Sequence, residues 1–174
     1  MKKILLVLAF SFISLFADNF TLKSDTLKGQ LTKTQEFNGF GCIGENTSPH
    51  LSWENAPKGT KSFAITVYDP DAPTGSGWWH WVVFDIPKDT MSLEKDFGSK
   101  EHKDIVQSVT NYGKGGFGGA CPPKGDKAHR YIFTVYALDT DKLGLDKNTN
   151  PAIVGYYLNN HAIAKASLIS YYKR

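Results

Sequence analysis

This chain lacks any run of like charge, and no segment of it repeats another. Lys and Arg never gather into a stripe that could track phosphates, and a formal charge of +3 is too small to replace one. Nucleic acid is therefore not an expected partner. After Phe16 there is no second long apolar run and no basic amphipathic helix, so stable membrane attachment is not expected either. Cysteine is scarce: Cys42 and Cys121 are the only two, too few for a small domain stapled by many bridges. Clean helical periodicity is also rare, which leaves sheet as the main material.

What is present suffices for one globular domain. The chain has 174 residues, 41% hydrophobic and 13% aromatic, enough to build a sizeable core. The opening MKKILLVLAFSFISLFA has a basic start, an apolar stretch short for a membrane span and a small residue before a cut after Ala17. It reads as a signal peptide over 1–17, with an uncleaved anchor or a buried first helix as alternatives, followed by a single domain over 18–174. An exported protein, periplasmic or secreted, is expected. Cleavage takes two of the 20 Lys and Arg and none of the 17 Asp and Glu, so the charge falls from +3 to +1. In an oxidising compartment Cys42 and Cys121 can close a disulfide, provided their Cα atoms come within about 7 Å; two free thiols or a reducible pair remain open.

Three segments carry strand signal. SFAITVY alternates from Ser62 to Tyr68, with Phe63, Ile65 and Val67 on one face. WVVFDI from Trp81 and YIFTVYAL from Tyr131 are apolar on both faces, the pattern of strands covered on each side. LSW at 51–53, SLISYY at 167–172 and FTLKS at 20–24 read as shorter strands. NNHAIAKAS from Asn159 reads as a capped, Ala-rich helical run, and TNPAIVGYYL as a single helical turn opened by Pro151. MSLEKDFGSK and KEHKDIVQS read as connection. The expected fold is mainly β: an antiparallel sandwich with long crossing connections and one or two short helices near the C-terminus.

Polar groups cluster at the ends of these strands. Asp69 and Asp71 follow SFAITVY, His80 precedes WVVFDI, and His129 precedes YIFTVYAL. If the strands run antiparallel, these groups share one rim, where binding sites are commonly built. Taken singly, Asp69 and Asp71 fit a Pro- and Gly-rich turn, His80 a core imidazole and His129 a surface residue. Taken together, beside aromatic side chains and the Gly-rich stretch GKGGFGGACPPKGDKAHRY, they fit a small-ligand pocket. For Asp71, Gly75 and Gly77 the turn reading is preferred.

YDPDAPTGSGWWHWVVFDIP and GGACPPKGDKAHRYIFTVYAL strongly resemble the two signature motifs of the phosphatidylethanolamine-binding protein family, in its bacterial Raf-kinase-inhibitor-like branch. GCIGENTSPHLSW and HAIAKASLISYYKR extend the resemblance over most of residues 20–174. It implies a Greek-key β-sandwich with an anion pocket at one end, able to hold phosphate, phosphorylethanolamine or acetate-like groups. It implies a pocket carboxylate at Asp69, histidines at His80 and His129, a phosphate-contacting tyrosine at Tyr131 and an aromatic wall at Trp78. Cys121 and Pro122 fall where the family's loop lends backbone to the anion. It implies no metal and no cofactor. The chain departs from the family's eukaryotic members in having no counterpart of their long C-terminal helix after SYYKR, which puts lid behaviour and kinase regulation in doubt.

The reading that follows is a binding protein, without enzymatic activity, for a small anionic ligand such as a phosphate headgroup, with a protein partner as a further prospect. Both imidazoles are expected to donate to the anion, so binding should tighten as pH falls through about 6.5. Two other readings use the same residues or the surface: a metal-dependent hydrolase built on Asp69, Asp71, His80 and His129, and an inhibitor of a protease or kinase.

Overall fold

The computed structural model describes residues 19–174. The expected signal peptide lies outside the described residues. Two antiparallel sheets carry the fold. The smaller joins β1 (Thr21–Lys23), β2 (Leu51–Glu54) and β5 (Ser92–Leu93) in the order β1-β2-β5. The larger joins β3 (Ser62–Asp69), β4 (Trp78–Pro87), β6 (Val106–Gln107), β7 (His129–Leu138) and β8 (Ala162–Tyr172) in the order β6-β4-β3-β7-β8. After β4 the chain crosses to the small sheet for β5, returns to the large sheet as β6 beside β4, then crosses again to place β7 on the far side of β3. The expected sandwich with crossing connections is the fold observed.

The alternation of β3 explains how one strand serves two cores. Phe63, Ile65 and Val67 pack with Leu51 and Trp53 of β2, Trp81 of β4 and Phe133 of β7 between the sheets. Ala64 on the opposite face joins Val82, Phe84 and Leu138 against the helix α1 (Pro151–His161), through Val154 and Leu158. β4 and β7 are likewise covered on both faces, which is why their sequences run apolar without a polar side.

The C-terminal region differs from expectation. The helix is the segment Pro151–His161, longer than the single turn expected, and its cap is Asn150, whose side-chain oxygen accepts from the Ala152 amide at 2.9 Å. The Ala-rich run expected as a helix from Asn159 is instead strand β8 from Ala162 onward. Alanine favours helices, but Ala164, Ala166 and Leu168 fall at every second position and face the core, while Ile163, Lys165, Ser167 and Ile169 face solvent. Pairing with β7 along its whole length settles the contest in favour of strand. The stretches expected as plain connection hold β5 and β6, two residues each, too short to leave a periodic signal.

Candidate functional site

The register of the three central strands assembles the rim. β3 lies between β4 and β7 and runs antiparallel to both, so its last residue, Asp69, lies opposite Trp78, the first residue of β4, and beside the start of β7. The connecting loop from Pro70 to Gly77 is held at both ends. Asp69 Oδ1 accepts from the amides of Asp71 at 2.8 Å and Ala72 at 3.1 Å, the Asx turn that Asp before Pro favours. Gly77 closes the loop with φ at +65°, and a Cβ there would run into the Tyr68 hydroxyl.

A cavity of about 180 Å³ opens at this rim. All seven residues expected to bind ligand border it: Asp69, Trp78, His80, Cys121, Pro122, His129 and Tyr131. The volume is below the roughly 300 Å³ at which drug-sized sites begin, so it suits a phosphate-sized group rather than a whole lipid.

The two histidines have different duties. His129 is buried, and its Nδ1 donates to Asp69 Oδ2 at 2.8 Å while its Nε2 lies 3.2 Å from Asp126 Oδ2. Burial alone would lower its pKa, but the hydrogen bonds and charges of the two carboxylates outweigh burial and raise it. Asp126 is correspondingly lowered by its bond to His129. His80 is buried as deeply but pairs with no carboxylate: its Nδ1 donates to the Gly118 carbonyl at 2.7 Å. Loss of water pushes it down to about 4, despite the neighbouring Asp69 and the backbone acceptors. The expectation that both imidazoles donate to an anion is therefore revised. The N–H groups of His129 are already taken, and neutral His80 has a bare Nε2, buried and without a partner.

Two further residues at the cavity have free polar atoms: Trp78, whose Nε1 is buried without a partner, and Tyr131. The Tyr131 hydroxyl is buried without a hydrogen-bond partner, and burial raises its pKa so that the phenol keeps its proton. His80 packs edge-on against both Tyr131 and Tyr112, at ring separations of 5.1 and 5.6 Å, and Trp78 meets Tyr112 edge-on at 5.4 Å. These aromatic contacts fix the cavity's shape without using its polar atoms.

Asp71 does not join the site. Its carboxylate accepts from the Arg130 amide, Nε and Nη2 at 2.8 to 2.9 Å, which ties the loop to the start of β7 and, through the Arg130 hydrogen bonds, lowers the Asp71 pKa. The four ligands of the hydrolase reading thus do not converge, and among the described residues no three His, Cys, Asp or Glu side chains are grouped to hold a metal ion.

Cys42 and Cys121 are joined by a disulfide, with Cα atoms 6.0 Å apart. The bond fastens the loop that carries Phe40 to the loop that carries Pro122, and Phe40 also borders the cavity. Phe40 and Tyr112 were not expected here. Phe40 stands 71% exposed between two glycines, and Tyr112 sits in an irregular segment whose position depends on a bond from its hydroxyl to the Gly119 carbonyl at 2.7 Å. Neither has a local pattern that could have marked it.

Comparison with known proteins agrees with this arrangement. A family model described as phosphatidylethanolamine-binding protein matches residues 23–173. The UPF0098 protein YbcL of Escherichia coli K12 is 51% identical over 173 residues, covering 96% of this chain and 94% of its own. A UPF0098 protein of Aquifex aeolicus is 43% identical over 136 residues, covering 78% and 79% of the two chains. The crystal structure of E. coli YbcL, described as a new member of the mammalian PEBP family, superposes with a TM-score of 0.86 over 89% of this chain and 98% of that one. A phosphatidylethanolamine-binding protein homolog, CT736 of Chlamydia trachomatis, gives 0.75 at 28% identity, over 89% and 97%.

Proposed function

The chain belongs to the phosphatidylethanolamine-binding protein family, and from that premise we propose that its rim cavity binds the phosphate, or a comparably small anionic group, of a ligand met outside the cytoplasm. The observation that carries this reading is the set of three buried polar atoms without partners, His80 Nε2, Trp78 Nε1 and the Tyr131 hydroxyl, on residues that border the cavity. A buried polar atom without a partner costs about 1–3 kcal/mol, and a bound group that donates to Nε2 or accepts from the hydroxyl or the indole N–H would relieve it. Asp69 and His129 form the floor, a compensated pair that holds the rim in register. The phosphate of phosphorylethanolamine fits the cavity in size, as does that of a phosphorylated side chain on a protein partner. Among the described residues no helix is long and apolar enough to cross a membrane.

Export belongs to the same reading. It is supported by the basic and apolar opening of the chain and by the Cys42–Cys121 disulfide, since such bonds persist in oxidising compartments.

Titration of the 15N-labelled mature protein with inorganic phosphate and phosphorylethanolamine tests the site. The amides of Asp69, His80, Cys121 and Tyr131 should move together, and Tyr131→Phe should weaken binding about tenfold, one hydrogen bond's worth. Saturable binding that leaves these amides in place would put the ligand elsewhere.

A further inference from the structure

His80 cannot give a ligand a proton that it does not carry. Its Nδ1 faces the Gly118 carbonyl oxygen at 2.7 Å, and a carbonyl only accepts, so the one proton of the neutral ring sits on Nδ1. Nε2 is left as a lone pair, buried and without a partner. The push of burial on this ring, down to about 4, agrees with the neutral form near pH 7.

Around His80 the cavity offers a bare anion two neutral donors, the Trp78 indole N–H from β4 and the Tyr131 hydroxyl from β7. From β3, Asp69 is an acceptor already paired with His129. From β7, His129 commits both ring nitrogens to Asp69 and Asp126, and Tyr131 has a single hydroxyl proton. From the loop before Gly118, Tyr112 donates to Gly119. Among the described residues, no Lys or Arg borders the cavity. An oxyanion without protons would place one oxygen against the lone pair of Nε2, with one phenol and the Trp78 indole N–H in compensation. An oxyacid that still holds a proton meets no such conflict: its O–H donates to Nε2, and a second oxygen accepts from Tyr131.

We propose that the cavity selects oxyacids that arrive with a proton, namely phosphate and phosphate monoesters in their monoanionic form, and rejects anions of similar shape that have none to give. Sulfate and phosphate diesters fall in the rejected class, and the phosphate of an intact phospholipid is a diester. The inference rests on the reading that the cavity binds an anionic group, and it narrows that group to a free phosphate or a terminal monoester. Binding of a monoester near neutral pH then takes up about one proton, because monoesters lose theirs above about pH 6.

Calorimetry on the mature protein tests this with four probes: inorganic phosphate, methyl phosphate, dimethyl phosphate and sulfate. Each is measured at two pH values in two buffers of different ionisation enthalpy, which counts the protons taken up. Methyl phosphate should weaken about tenfold per pH unit above about 6 and take up close to one proton at pH 7.5. Sulfate and dimethyl phosphate should bind at least tenfold more weakly than methyl phosphate. In His80→Gln, whose amide can turn either donor or acceptor inward, sulfate and methyl phosphate should bind within a few-fold of each other. Sulfate binding as tightly as methyl phosphate in the wild type, with no proton uptake, overturns the inference and leaves the anion site standing. Absence of binding by phosphate and methyl phosphate alike overturns both.

Discussion

At the scale of single residues, the contrast between His80 and His129 sets how the fold responds to pH. His80 is neutral in the folded protein and near 6.5 when unfolded, so below that pH the unfolded chain binds the extra proton and folding stability falls as pH drops toward about 4. A change of that size corresponds to about 3 kcal/mol. His129 acts in the opposite sense: its pKa is raised, so the stability of its bonds to Asp69 and Asp126 is complete below 6.5 and is lost as pH rises through the raised value. Urea unfolding midpoints measured from pH 4 to 9 should show both limbs. His80→Phe should flatten the acid limb by about 3 kcal/mol and leave the alkaline limb in place, and an unchanged acid limb would show that His80 is not held neutral. Asp69, His80, His129 and Tyr131 were legible in the sequence because each sits within three residues of a strand end that could be recognised. Which imidazole keeps its proton was not legible, because that depends on whether a carboxylate or a carbonyl stands opposite the ring.

At the scale of elements, the C-terminal region shows local propensity yielding to pairing. Asn159 was read as a helix cap, but the helix begins after Asn150 instead. Asn150→Ala should cost about 1 kcal/mol in chemical denaturation, whereas Asn159→Ala, near the other end of α1, should cost less than about 0.5 kcal/mol. Equal losses would place the helix start wrongly. β3 was recognisable by its alternation, and β4 and β7 because a strand buried on both faces needs a long apolar run. β5 and β6 were not, since two residues paired with a neighbour have no period of their own. β8 was read in part: its last residues looked like strand, while its alanines looked like helix until β7 supplied partners.

At the scale of the whole molecule, the disulfide joins parts of the chain 79 residues apart and meets the cavity wall at Cys121. Closing a loop of that length is worth about 4 kcal/mol of stability in the chain-entropy view. Cys42→Ser/Cys121→Ser should therefore lower the unfolding free energy by a few kcal/mol, and a reductant should do the same to the wild type. Fractionation of cells expressing the full chain should place the bridged protein, shortened after Ala17, outside the cytoplasm; a full-length, reduced cytoplasmic product would overturn the export reading. The sequence by itself determined the class of fold, the three central strands and the rim residues, since periodicity and turn chemistry are local and survive in a linear string. Only the tertiary structure decided that Phe40 and Tyr112 border the cavity, that Asp71 turns to Arg130, that the two cysteines meet, and that His80 presents a lone pair. Each of those outcomes depends on the group brought opposite by another part of the chain, and a pairing across such distances leaves no mark in the spacing of either partner.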